Sequence, residues 1–134
     1  MVKVGFIVEG DTEKQIVSSE SFKTFCRSKG IEVLSGVLPA NKKERGKDVF
    51  KNEEKLASFT ALLYDMGADC VFCMRDLEDL PCITSAKDEI KSTDEKVKKV
   101  LVVNQIETWF LADISLMEHF FGENFLTTYP EVAV

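Results

Sequence analysis

Histidine is nearly absent from this sequence: His119 is the only one in 134 residues. That scarcity excludes a histidine-rich metal centre, and its place beside Phe120 and Phe121 reads as a surface or boundary position. Long apolar runs are absent too. No stretch approaches the roughly 20 residues needed to cross a bilayer, and the start lacks the basic segment and apolar core of a signal peptide, so the expected address is the cytoplasm. Positive charge is in short supply, with a formal net charge of −6. Non-specific affinity for nucleic acid comes from Lys and Arg neutralising phosphates, so the balance argues against unassisted binding. No Lys or Arg follows Trp109. Internal repeats and low-complexity segments are also missing.

What is present suits a folded domain. Hydrophobic residues make up 45% and charged residues 30% of the chain, a balance typical of globular rather than disordered sequences. The length predicts one domain spanning residues 1–134, because a chain of about 150 residues buries roughly two-thirds of its unfolded surface. The tail, Gly122 to Val134, ends on an apolar YPEVAV without a clear terminal element, which predicts that more of the natural domain follows.

Four cysteines, Cys26, Cys70, Cys73 and Cys82, raise the question of metal or disulfide. Cys70 and Cys73 have CxxC spacing, but DCVFCM reads as a strand. Positions i and i+3 of a strand face opposite sides and cannot jointly hold one zinc. Buried reduced thiols are the expectation, in keeping with a reducing compartment.

The stretch Val2 to Lys14, VKVGFIVEGDTEK, organises the rest. Its apolar run reads as a parallel strand buried on both faces that turns sharply into a helix. Glu9, Asp11 and Glu13 then fall at the rim where open α/β sheets bind ligands. Asp11 or Thr12 can cap the helix and Glu13 suits its first turn, so part of this cluster has a structural explanation. Glu9 has none, and it sits beside Gly10, where backbone can approach a ligand closely.

Further along, Asp11 to about Ser28 carries a helical apolar pattern ended by Gly30. Ile31 to Leu38 reads as a second strand closed by Pro39. Val49 to Met66 shows a broad helical stripe ended by Gly67, and Asp69 to Arg75 a third strand. A short helix is expected near Ser85 to Ile90, a fourth strand at Val100 to Val103, and an amphipathic helix over Gln105 to Phe121. The alternation predicts an α/β fold: a parallel sheet of about four strands with helices on both faces.

A second acidic cluster, RDLED, follows the third strand, so Asp76, Glu78 and Asp79 emerge on the same rim as Glu9. Two residues apart on extended backbone, Asp76 and Glu78 point the same way and suit a hard cation such as Mg²⁺ or Mn²⁺. The competing explanation is that acids after strands cap the next helix. Glu107, after the fourth strand, is a third candidate ligand or a first-turn acid. The stretch Ala40 to Lys51 concentrates Lys42, Lys43, Arg45, Lys47 and Lys51 in an acidic protein, and reads either as a solvated loop or as a phosphate-contacting one.

With VEGDTE, RDLE and IETWFLAD in place, the sequence resembles the TOPRIM fold shared by topoisomerases, primases and the overcoming-lysogenization-defect nucleases. It is closer still to a group of small uncharacterised bacterial TOPRIM-fold proteins. The resemblance runs from about Lys3 to Asp113. It implies a metal-dependent nuclease, a phosphodiester hydrolase with Mg²⁺ or Mn²⁺ held by Glu9, Asp76 and Glu78, with Asp79 and Glu107 as further ligands. Glu9, Glu13, Asp76 and Glu78 would form the catalytic set, with Glu9 or Glu13 as general acid or base. Two departures stand out. The second acid of the usual D-x-D pair is Glu78, one methylene longer. The late basic residue of nuclease members has no counterpart here, which leaves its role to Arg75, to the Lys42–Lys51 loop or to an element beyond this sequence. Two rivals remain: a non-catalytic TOPRIM-like module docking on a partner such as an ATPase, and a receiver-like Mg²⁺-binding domain with Asp76 as phosphoacceptor. The second of these would need a Lys after a later strand.

Overall fold

Val4, Phe6, Ile7 and Val8 are all buried, although neighbouring residues of a strand face opposite ways. A strand apolar on both sides must therefore lie inside a sheet covered on both faces. The computed structural model describes residues 1–41, 43, 49–76, 82–102, 113, 115, 118, 119 and 122. Its elements run β1 (Val2–Val8), α1 (Asp11–Ser18), α2 (Glu20–Ser28), β2 (Ile31–Leu38), α3 (Glu53–Asp65), β3 (Cys70–Asp76), α4 (Ile83–Asp88) and β4 (Val97–Val102). The strands form one sheet in the order β2-β1-β3-β4, every pair parallel. The fold is α/β, with helices on both faces.

One apolar cluster joins Val4, Phe6 and Val8 to Val17 and Cys26 of α1 and α2; the other joins Ile7, Val71 and Cys73 to Leu56 and Leu63 of α3. Full burial of a Val, Leu or Ile side chain contributes about 1.5–3 kcal/mol, so these two layers are the main source of stability. The Tyr64 hydroxyl donates to Asp94 Oδ2 at 2.7 Å, tying the end of α3 to the segment before β4.

β3 is shifted by one residue from the sequence reading, so that Asp76 ends the strand, and four boundaries differ by two residues or more. The single helix expected from Asp11 to Ser28 is two, because Ser19 adopts extended backbone (φ −69°, ψ 146°) and caps α2 by accepting from Phe22 N at 3.2 Å. Its hydroxyl also donates to Ile16 O at 2.8 Å, the kind of local bond with which serine competes against a helix. α3 begins at Glu53 rather than Val49, since Asn52 Oδ1 accepts from Lys55 N at 3.0 Å and makes a good cap. Val49 and Phe50 are buried ahead of the helix rather than in it. α4 lies two residues earlier than expected. β4 starts at Val97, where Val97 pairs with Val71 and Lys98 with Phe72; this strand lies at the edge of the described sheet, where lysines are tolerated. Most of the helix expected over Gln105–Phe121 lies outside the described residues.

All four cysteines are free. Cys70 packs with one apolar cluster and Cys73 with the other, on opposite faces as the strand reading requires. Burial pushes the Cys73 thiol up to about 12. Two depart from the buried expectation: Cys70 is half-buried and Cys82 is exposed. No helix among the described residues is long and apolar enough to cross a membrane.

Gly5 sets the spacing between β1 and α3: a Cβ there would lie 2.9 Å from Leu63 Cδ2 and 3.1 Å from Leu63 Cβ. Gly5→Ala should therefore lower stability by about 1–3 kcal/mol through overpacking, read as a lower urea midpoint. An unchanged midpoint would mean that the helix is free to retreat.

Candidate functional site

The chain leaves β1 through α1 on one face, and leaves β3 toward α4; Ile90, two residues beyond α4, packs on the other. β2 and β3 flank β1 on opposite sides. β1 and β3 therefore straddle the switch point of the sheet, where connections diverge and a crevice opens beyond the carboxyl ends of the strands. Glu9 and Asp76 are the residues at that opening.

They touch. Glu9 is 9% exposed, and its Oε2 accepts a hydrogen bond from the backbone N of Asp76 at 3.0 Å. Adjacent strands in parallel register make this contact possible, because Val8 pairs with Met74 and brings the following residues abreast.

Glu13 stands in the first turn of α1, just after Gly10. The helix N-cap is Gly10, in ordinary extended backbone (φ −137°, ψ 178°), and no side chain caps it. Asp11 and Thr12, the expected caps, lie instead within the first turn. Glu13 is 4% exposed, and its Oε2 lies only 2.7 Å from where a Cβ on Gly10 would be. The absence of a side chain at position 10 thus leaves the space that the Glu13 carboxylate occupies, with no demand on backbone conformation.

Arg75, one of the residues to which the sequence leaves the role of the absent late basic residue, is 2% exposed. Its Nη1 donates to Glu89 Oε2 at 2.9 Å, and Lys51 Nζ stands 4.0 Å from the same oxygen. The guanidinium hydrogen bond holds the Glu89 carboxyl below its ordinary value of 4.5. Sequence reasoning missed Glu89, since a separation of 14 residues between partners carries no periodic signal.

The basic stretch is anchored near this rim at both ends. Lys14 Nζ of α1 donates to Ala40 O at 3.5 Å, and Lys51 faces Glu89. Lys43 is exposed, its backbone N donating to Asn41 Oδ1 at 3.0 Å. Glu78, Asp79, Glu107, Lys42, Arg45 and Lys47 lie outside the described residues. His119 is exposed.

Among the described residues, no group of three or more His, Cys, Asp or Glu side chains is arranged to hold a metal ion. The donors at the switch point nonetheless match a hard cation: all are carboxylate oxygens, and Mg²⁺ keeps several waters and takes one or two protein carboxylates. Carboxylate oxygens are by their chemistry hard donors and proton acceptors. No known protein family, curated protein or solved structure matches the chain.

Two expectations follow. Glu9→Ala removes the acceptor of a part-buried N–H and should cost about 1–3 kcal/mol in urea unfolding, whereas Glu9→Gln keeps an acceptor and should cost less than half of that; equal losses would mean that the hydrogen bond is immaterial. Glu89, with its folded pKa depressed, contributes stability above its ordinary range and loses it as pH falls through the folded value. The stability difference between wild type and Glu89→Gln should be flat from neutrality to about pH 5 and shrink below about pH 4.5. A difference that grew on acidification would contradict this sign.

Proposed function

We propose that this chain is a TOPRIM-type phosphodiesterase acting on nucleic acid with Mg²⁺ or Mn²⁺, in the cytoplasm. The observation that carries this reading is the Glu9–Asp76 contact at the switch point of a β2-β1-β3-β4 sheet, with Glu13 folded over Gly10 beside it. Asp76, Glu78 and Glu9 would hold the cation, with Asp79 and Glu107 as further candidates. When bound, the metal supplies polarisation of a phosphoryl oxygen and a water acidic enough to attack at neutral pH. The chain's own contribution is to orient and to move protons. Glu13 or Glu9 accepts the proton of the attacking water at a carboxylate oxygen, Glu9 being carried at the end of β1 and Glu13 in the first turn of α1.

Uncompensated carboxylates repel phosphate, so substrate should approach only with metal present and with help from the basic stretch. Among the described residues of that stretch, exposed Lys43 would supply such steering, while Lys51 stands 4.0 Å from Glu89.

One observation favours a second reading, that of a non-catalytic module docking on a partner such as an ATPase. Glu9 already serves the fold through the Asp76 amide, and no three-ligand cage exists among the described residues.

Calorimetric titration with Mg²⁺ and Mn²⁺ separates the two. The nuclease reading expects binding to wild type that weakens at least about tenfold in Asp76→Ala, with circular dichroism unchanged. It also expects cleavage abolished by EDTA, and nucleic-acid binding that needs metal and falls steeply with salt. Absence of binding at millimolar metal, or salt-insensitive nucleic-acid binding in EDTA, would favour the docking module.

A further inference from the structure

Arg75 is the largest of the fully buried side chains among the described residues. It shares a face of β3 with Val71 and Cys73, both apolar. A guanidinium cannot shed its charge, so its burial persists only where a partner is supplied. Glu89, which ends α4, is that partner, and its side chain is about a third exposed. Arg75 Nε is buried with no hydrogen-bond partner among the described residues, and Glu89 accepts from Nη1 of the same group. The backbone repeats the connection: Lys91 N, two residues beyond Glu89, donates to Phe50 O at 2.8 Å, beside Lys51.

The peptide group that joins Arg75 to Asp76 is gripped from two directions. On the α4 side the Arg75 side chain is tethered to Glu89; at its N–H the same peptide donates to Glu9. Arg75 lies too deep to meet substrate, but it controls the strand end from which Asp76 departs. We propose that Arg75 is a positioning residue: anchored by Glu89, it fixes the Arg75–Asp76 peptide against Glu9 and so keeps the Glu9 and Asp76 carboxylates in register. Its consequence for metal binding rests on the function proposed above; the coupling itself does not.

The test uses the full chain, first without metal. In Glu89→Gln, which alters a partly exposed side chain and should fold, the Asp76 amide should exchange with solvent about tenfold faster. The Val71 amide, which donates to Lys96 O at 3.0 Å in the same strand, should keep its wild-type rate. Arg75→Lys should behave alike, because an ammonium does not reproduce the guanidinium fork. Mn²⁺ affinity should fall about tenfold in both, the usual cost of losing a group that orients a ligand. Tyr64→Phe, which removes the bond to Asp94, should change neither readout. Unaltered exchange at Asp76, or equal acceleration at Asp76 and Val71, would overturn the proposal, the latter marking the pair as general support for β3. Selective acceleration at Asp76 in a protein whose wild type takes no Mn²⁺ would uphold the positioning and remove the metal reading instead.

Discussion

The structure depends on one constraint: β1 is apolar on both faces and must be enclosed on four sides. β2 and β3 satisfy its backbone laterally, while α1–α2 and α3 cover its two surfaces. Polar chemistry can then leave this strand only at an end, and Glu9 is where it does. Parallel pairing brings the end of β3 to the same height, so Asp76 arrives beside Glu9 as a consequence of register rather than through any attraction between two acids.

Such a site concentrates charge of one sign in partial burial, an arrangement that costs free energy unless hydrogen bonds and counter-charges offset it. The backbone supplies the first offset through the Asp76 amide. Counter-charge lies one layer away: Arg75 neighbours Asp76 in sequence, yet its guanidinium is committed to Glu89 on the opposite side of the strand. The carboxylates are therefore positioned without being neutralised by that arginine.

The fold was legible in the sequence to a large degree because its signals are local. β-branched runs, Gly30, Gly67 and Pro39 mark strands and helix ends by steric preferences acting over a few residues. The misreadings were local competitions as well. Ser19 has the composition of a helix-interior surface residue, but its hydroxyl is a better cap than a continuing turn. Asn52 outcompetes Val49 as a start for the same reason. At β4, Lys98 and Lys99 concealed a strand whose extent is decided by its pairing with β3.

The sequence by itself determined the alternation of strands and helices, the opposite facing of Cys70 and Cys73, and the placing of acids at strand ends, because backbone sterics and two-residue periodicity act within one segment. Only the tertiary structure decided that Glu9 accepts from the Asp76 amide, that Gly10 makes room for Glu13, and that Arg75 turns away to Glu89. Those contacts join residues distant along the chain, and strand order, register and helix packing bring them together; no periodicity within a segment encodes them.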